Sequence, residues 1–97
     1  MYAIEVRGTF SAAHALRLAE GVTEPLHGHD FTVTARITAG ALDALGTVLD
    51  FHEVASALER ILRPLQNANL NAIEPFRSTV NPSAECLAEH IGRQLEA

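Results

Sequence analysis

Phe31-Thr32-Val33-Thr34-Ala35-Arg36-Ile37-Thr38 alternates apolar and polar side chains without a break. A period of two places Phe31, Val33, Ala35 and Ile37 on one face of a β-strand, and the β-branched threonines suit the other, exposed face. Upstream, Tyr2, Ile4, Val6 and, after Gly8, Phe10 repeat the pattern, which predicts a first strand over 2–10. Residues 15–26, with Gly21 and Pro25, join the two as a long loop.

Downstream, Gly40 to Gly46 reads as a connection. Asp50 then offers a helix cap, and Glu53 three residues on gives a variant of the capping box. Phe51, Val54, Leu58, Ile61, Leu62 and Leu65 share one side of that helix, and Pro64 limits its regular run. Residues 66–82, rich in Asn and Pro, read as loop. Asn81-Pro82-Ser83 opens a second helix, with an apolar stripe of Ala84, Leu87, Ala88, Ile91 and Leu95. The order strand, strand, helix, helix describes an α+β chain with helices on one face of a hairpin. A lone hairpin is marginal and has open edges, which predicts assembly through the strands.

Composition narrows the partners. The 97 residues allow one domain, and 47 % hydrophobic with 20 % charged residues is a globular balance. Cys86 is the only cysteine, so the chain cannot form an internal disulfide, and a small core then looks to a metal or to partner subunits. The net charge of −5, the absence of lysine and seven scattered arginines disfavour nucleic acid. No stretch approaches the roughly 20 apolar residues of a membrane span. The N-terminus lacks the basic start and apolar run of a signal peptide, so the expected location is cytoplasmic.

Three histidines carry the chemistry. His27 and His29 share the parity of Phe31 and Val33, and His14 shares that of Phe10 if the first strand runs on that far. With a loop centre near residue 21, residues whose numbers sum to 42 or 43 would face each other. His14 then lies opposite residues 28 and 29, and Phe10 opposite Thr32 or Val33. Neutral imidazoles are preferred zinc ligands, and three protein ligands leave one position for water or substrate oxygen. A lone histidine is usually a polar loop residue, but a His-x-His pair with a third at the matching place points to a metal.

Phe10-Ser-Ala-Ala-His14, Leu26-His-Gly-His29, Val48-Leu-Asp-Phe51 and Asn81-Pro-Ser-Ala-Glu85 together resemble the 6-pyruvoyltetrahydropterin synthase family, which includes the 6-carboxytetrahydropterin synthases. The resemblance spans nearly the whole chain. It implies the tunnelling fold: a β-hairpin, two helices and a second hairpin, in trimeric barrels that stack as hexamers. It also implies zinc on His14, His27 and His29. The implied substrate, dihydroneopterin triphosphate, would sit between subunits, with zinc on its side-chain oxygens during proton transfer.

The chain departs from that pattern at three places. Thr23 stands at the best-aligned position of the family's catalytic cysteine. Gln66 and Asn67 replace its Asp-His pair, and amides cannot exchange protons near pH 7. The expected domain, 1–97, lacks the family's C-terminal hairpin, which carries a pterin-anchoring glutamate. Glu24, or less favourably Glu20, is the candidate base in place of the cysteine. Glu85, at the start of the second helix, is the candidate substrate contact, although a helix N-terminus favours a carboxylate there in any case. Asp50 reads as a cap, His52 and His90 as surface histidines, Cys86 as a small buried residue, and Arg17 as solvated unless it meets a phosphate.

Three functional expectations follow. The first is a zinc-dependent pterin lyase with an altered reaction. The second is a non-catalytic, zinc-containing pterin-binding or assembly protein. The third makes zinc purely structural.

Overall fold

The computed structural model describes residues 1–96 and contains two antiparallel strands and two helices. β1 runs Tyr2–His14 and β2 runs His27–Ala39. Both are longer than the alternation alone marked, because β1 continues through Ser11–His14 and β2 begins at the first histidine of His-Gly-His. The register pairs His14 with His27, Phe10 with Phe31 and Tyr2 with Ala39, a constant sum of 41. The expected sums of 42 and 43 are therefore corrected. Directly opposed residues share a face, so an even sum would have put His14 and His27 on opposite faces. A 3-10 turn at Ala19–Gly21, with Glu20 and Gly21 at positive φ, reverses the chain one residue earlier than the expected centre.

α1 runs Phe51–Leu62, and the Asp50 carboxylate accepts from the His52 backbone N–H, a simple cap without the fuller box. Val54, Leu58 and Leu62 are buried, while Phe51, expected inward, is half exposed. The helix stops at Leu62 and tightens into a 3-10 turn over Arg63–Leu65 containing Pro64. α2 runs Ala84–Glu96 and buries Leu87 and Ile91. Its stripe is narrower than expected. Ala84 and Ala88 are exposed and line an apolar groove between α2 and β2, together with Phe31, Val33, Ile37 and Leu95.

The core lies between the helices and the sheet face bearing Val6, Phe10, Ala12 and Ala35. Phe10 and Phe31 stack across the strands at 4.8 Å. Tyr2, expected on the buried face, is exposed at the far end of the hairpin. Residues 66–82 are loop in path but core in content: Leu70 and Phe76 are completely buried. Their backbone also covers part of the β1 edge, where the Ala13 N–H donates to the Ala68 carbonyl at 2.8 Å. The outer edge of β2 has no partner strand among the described residues. None of the described helices is long and apolar enough to cross a membrane.

At Gly8 side chains of α1 pack close against the β1 backbone. A Cβ there would lie 2.8 Å from Leu62 Cδ1 and 3.2 Å from Leu58 Cδ2. Gly8→Val is expected to cost about 1–3 kcal/mol by overpacking, read as a lower urea midpoint. An unchanged midpoint would mean that α1 shifts freely over β1.

Candidate metal centre

The hairpin register brings the histidines together at the loop end of the hairpin. His14 closes β1 and His27 opens β2, so their rings meet across the ladder at 4.7 Å. His29 is two residues along β2, with its ring 6.1 Å from that of His14. Phe31 floors the group, 5.3 Å from the His14 ring and 4.9 Å from the His29 ring. His14 is buried, whereas His27 and His29 are exposed.

Backbone carbonyls orient two of the rings. His14 Nδ1 donates to the Pro82 carbonyl at 2.8 Å, and His27 Nδ1 donates to the Pro25 carbonyl at 3.0 Å. A neutral imidazole that donates through Nδ1 keeps its Nε2 lone pair for a metal, the usual outer arrangement of a ligating histidine. Glu24 joins from the loop. Its Oε1 accepts from the Leu16 N–H at 3.0 Å and lies 4.0 Å from His27 Nδ1. Ligand atoms of His14, Glu24 and His27 all fall within 4.8 Å of one another. Zinc takes imidazole nitrogen and carboxylate oxygen at about 2.0–2.2 Å, so this donor set suits the ion after a small contraction. The sequence pointed to His14, His27 and His29. The structure brings all three to one face but sets Glu24, rather than His29, in the tightest group.

The other candidates are placed as follows. Glu20 is exposed at the loop tip, and Thr23 forms a bridge with Arg17. Gln66 and Asn67 attach to the β1 edge: the Ser11 N–H donates to Gln66 Oε1 at 2.9 Å, and the Asn67 N–H donates to the Ser11 carbonyl at 2.6 Å. Glu85 is exposed in the first turn of α2, three residues after the Pro82 carbonyl that orients His14. Cys86 is only partly buried. Arg17 is not a free cation, because its guanidinium donates to the Phe76 carbonyl at 2.9 Å and the Val80 carbonyl at 2.6 Å. The Pro82 contact is not legible in the sequence, because hydrogen bonds to backbone oxygen leave no residue-type signature.

His52 is an exposed surface residue, but His90 is not. Its ring packs on Phe76 at 5.1 Å, and partial burial lowers its pKa from the ordinary 6.5. The Gln94 amide Nε2 lies 3.1 Å from His90 Nε2. The folded state then binds this proton less readily than the unfolded chain. Stability is full above about pH 6.5 and falls as pH drops through the lowered pKa. His90→Gln is expected to lessen the fall in melting temperature between pH 7.5 and 5.5. An equal fall in both proteins would refute this.

The family model described as 6-pyruvoyl tetrahydropterin synthase matches residues 3–97. Dihydroneopterin monophosphate aldolase from Pyrococcus furiosus is 32 % identical over 89 residues, covering 92 % of this chain and 70 % of that protein. The structure of 6-pyruvoyl tetrahydropterin synthase from Caenorhabditis elegans superposes with a TM-score of 0.82 at 22 % identity. That match covers 98 % of this chain and 76 % of the other.

Proposed function

The chain belongs to the 6-pyruvoyl tetrahydropterin synthase family of pterin metabolism, and we propose that it is a zinc-dependent lyase that cleaves the side chain of a phosphorylated dihydroneopterin in an aldol-type reaction. The observation that carries this is the Glu24 carboxylate beside the His14–His27 pair. The aldolase relative supports the reaction class. His14, His27 and His29 would hold the zinc. When bound, the ion supplies a Lewis acid that polarises the side-chain oxygens of the substrate.

The chemistry needs one mobile proton. Cleavage breaks the bond between the two hydroxyl-bearing carbons nearest the ring. Glu24 takes the proton from the outer hydroxyl, on Oε2, because Oε1 already accepts from the Leu16 N–H. The O–H electrons become the aldehyde C=O, and the C–C pair passes to the ring-side carbon. Glu24 then returns the proton to that carbon, so one carboxylate acts as base and acid in turn. This is why a chain with Thr23, Gln66 and Asn67 in place of a cysteine and an Asp-His pair retains a workable reaction. Glu85, exposed near the centre, is the proposed contact for the pterin ring. The open β2 edge and the apolar groove beside α2 would be covered in a homo-oligomer, a trimer or hexamer by family precedent.

The test incubates zinc-loaded protein with dihydroneopterin monophosphate and triphosphate and follows the pterin by mass spectrometry. Zinc-dependent release of a hydroxymethyl pterin and a two-carbon phosphorylated aldehyde is expected from the monophosphate. Intact substrate with the pterin still bound would favour the non-catalytic alternative. Glu24→Gln is expected to lower turnover by about 10²–10⁴-fold while zinc content stays constant. Unchanged turnover would remove Glu24 from the reaction.

A further inference from the structure

The segment after His14 leaves the hairpin ladder but is not left free. The Ala15 N–H donates to Asn71 Oδ1 and Asn71 Nδ2 donates to the Ala15 carbonyl, both at 2.8 Å. The Arg17 N–H donates to Asn81 Oδ1 at 2.9 Å, and Asn81 Nδ2 donates to the Arg17 carbonyl at 3.1 Å. Two side-chain amides thus act as strand partners along one edge. On the opposite edge the Leu16 N–H donates to Glu24 Oε1 and the Glu24 N–H donates to the Leu16 carbonyl, both at 3.0 Å. Every backbone N–H and C=O of residues 15–17 has a partner, as partly buried chain demands. Asn81 also precedes Pro82, whose carbonyl orients the His14 ring.

We infer that Asn71 and Asn81 are positioning residues of the metal centre: they fix the strand against which both the His14 imidazole and the Glu24 carboxylate are set. The inference rests on the metal-binding reading above. An ordinary loop stabiliser would need only one bond at one site. Here each amide makes a two-point contact, and the two contacts bracket Leu16, the residue that holds Glu24. Rotation of the 15–17 segment would carry the carboxylate away from His27. Release of Asn81 would also loosen the turn that presents the Pro82 carbonyl. Partners bonded directly to a ligating side chain change metal affinity by about 10–100-fold, and loss of the frame that holds Glu24 and His14 is judged on that scale.

The experiment titrates the full-length metal-free protein with Co²⁺, reading the visible absorption bands and the dissociation constant, with the metal-free urea midpoint measured alongside. Asn81→Ala is expected to bind Co²⁺ about 10–100-fold more weakly and, once saturated, to show shifted bands. Asn71→Ala should move both in the same direction. Ile91→Ala, a core change away from the site, should lower the midpoint yet leave the saturated spectrum unchanged. If Asn81→Ala does not fold, Asn81→Asp carries the test, because it keeps the acceptor for the Arg17 N–H and loses the donor to the Arg17 carbonyl. Wild-type affinity and bands in the asparagine variants would overturn the positioning role. Failure of the wild-type protein to bind Co²⁺ would instead sink the metal reading itself.

Discussion

Phe76→Ala is expected to lower the unfolding free energy by about 3–5 kcal/mol, the usual cost of deleting a fully buried phenylalanine. Domains are held by about 5–15 kcal/mol, and a chain of 97 residues has a small core, so this single change removes a large share of the total. Phe76 has no accessible surface, touches the His90 ring and belongs to the same core as Leu70 and Leu87. Its own carbonyl receives the Arg17 guanidinium, so the loop that would collapse into the cavity is already tied on its other side. Relaxation is therefore limited, which keeps the cost at the upper end. A urea titration followed by far-UV circular dichroism checks this. A midpoint within error of wild type would show that residues 66–82 are not part of the core.

His27→Ala is expected to weaken zinc binding by more than ~100-fold, beyond what loss of an outer partner produces. The side chain is 46 % exposed, so its removal leaves the fold intact and isolates the metal. Zinc per chain after gel filtration, measured by mass spectrometry of the metal, is the readout. Full zinc in this variant would refute the centre. His29→Ala and Glu24→Gln form the companion pair, since the structure sets Glu24 closer to the other ligands than His29. Loss of zinc in His29→Ala with retention in Glu24→Gln keeps the three-histidine assignment. The reverse would make Glu24 a ligand and withdraw it as the base.

The strands, both helices and the face shared by the histidines were legible because periodicity reports on burial and parity. Alternation through Phe31–Ile37 located β2, and Asp50 marked the start of α1. The register was not legible to one residue, since it depends on the positive-φ turn at Glu20 and Gly21. Residues 66–82 are the loop that their composition predicts, but its burial was not legible. Asn and Pro signal the absence of regular structure, not exposure, and Leu70 and Phe76 carry no periodic neighbours to advertise their burial. Arg17 and His90 also looked solvated in sequence, and their partners lie at Phe76, Val80 and Gln94. The part of the site made by backbone carbonyls and side-chain amides depends on contacts between distant parts of the chain.

The bond between His14 and Pro82 spans 68 residues. On a ribosome adding about 5–20 residues per second, the histidine that closes β1 waits about 3–14 seconds for the carbonyl that orients it. During that interval the hairpin can already form, with His14 and His27 side by side and unguarded. The nascent chain would then hold an early, loosely built pair of imidazoles. The orienting carbonyl of His14 is in place only once the chain has reached Pro82, just before the second helix. A chain that ended before Pro82 would leave the pair without its orienting contact.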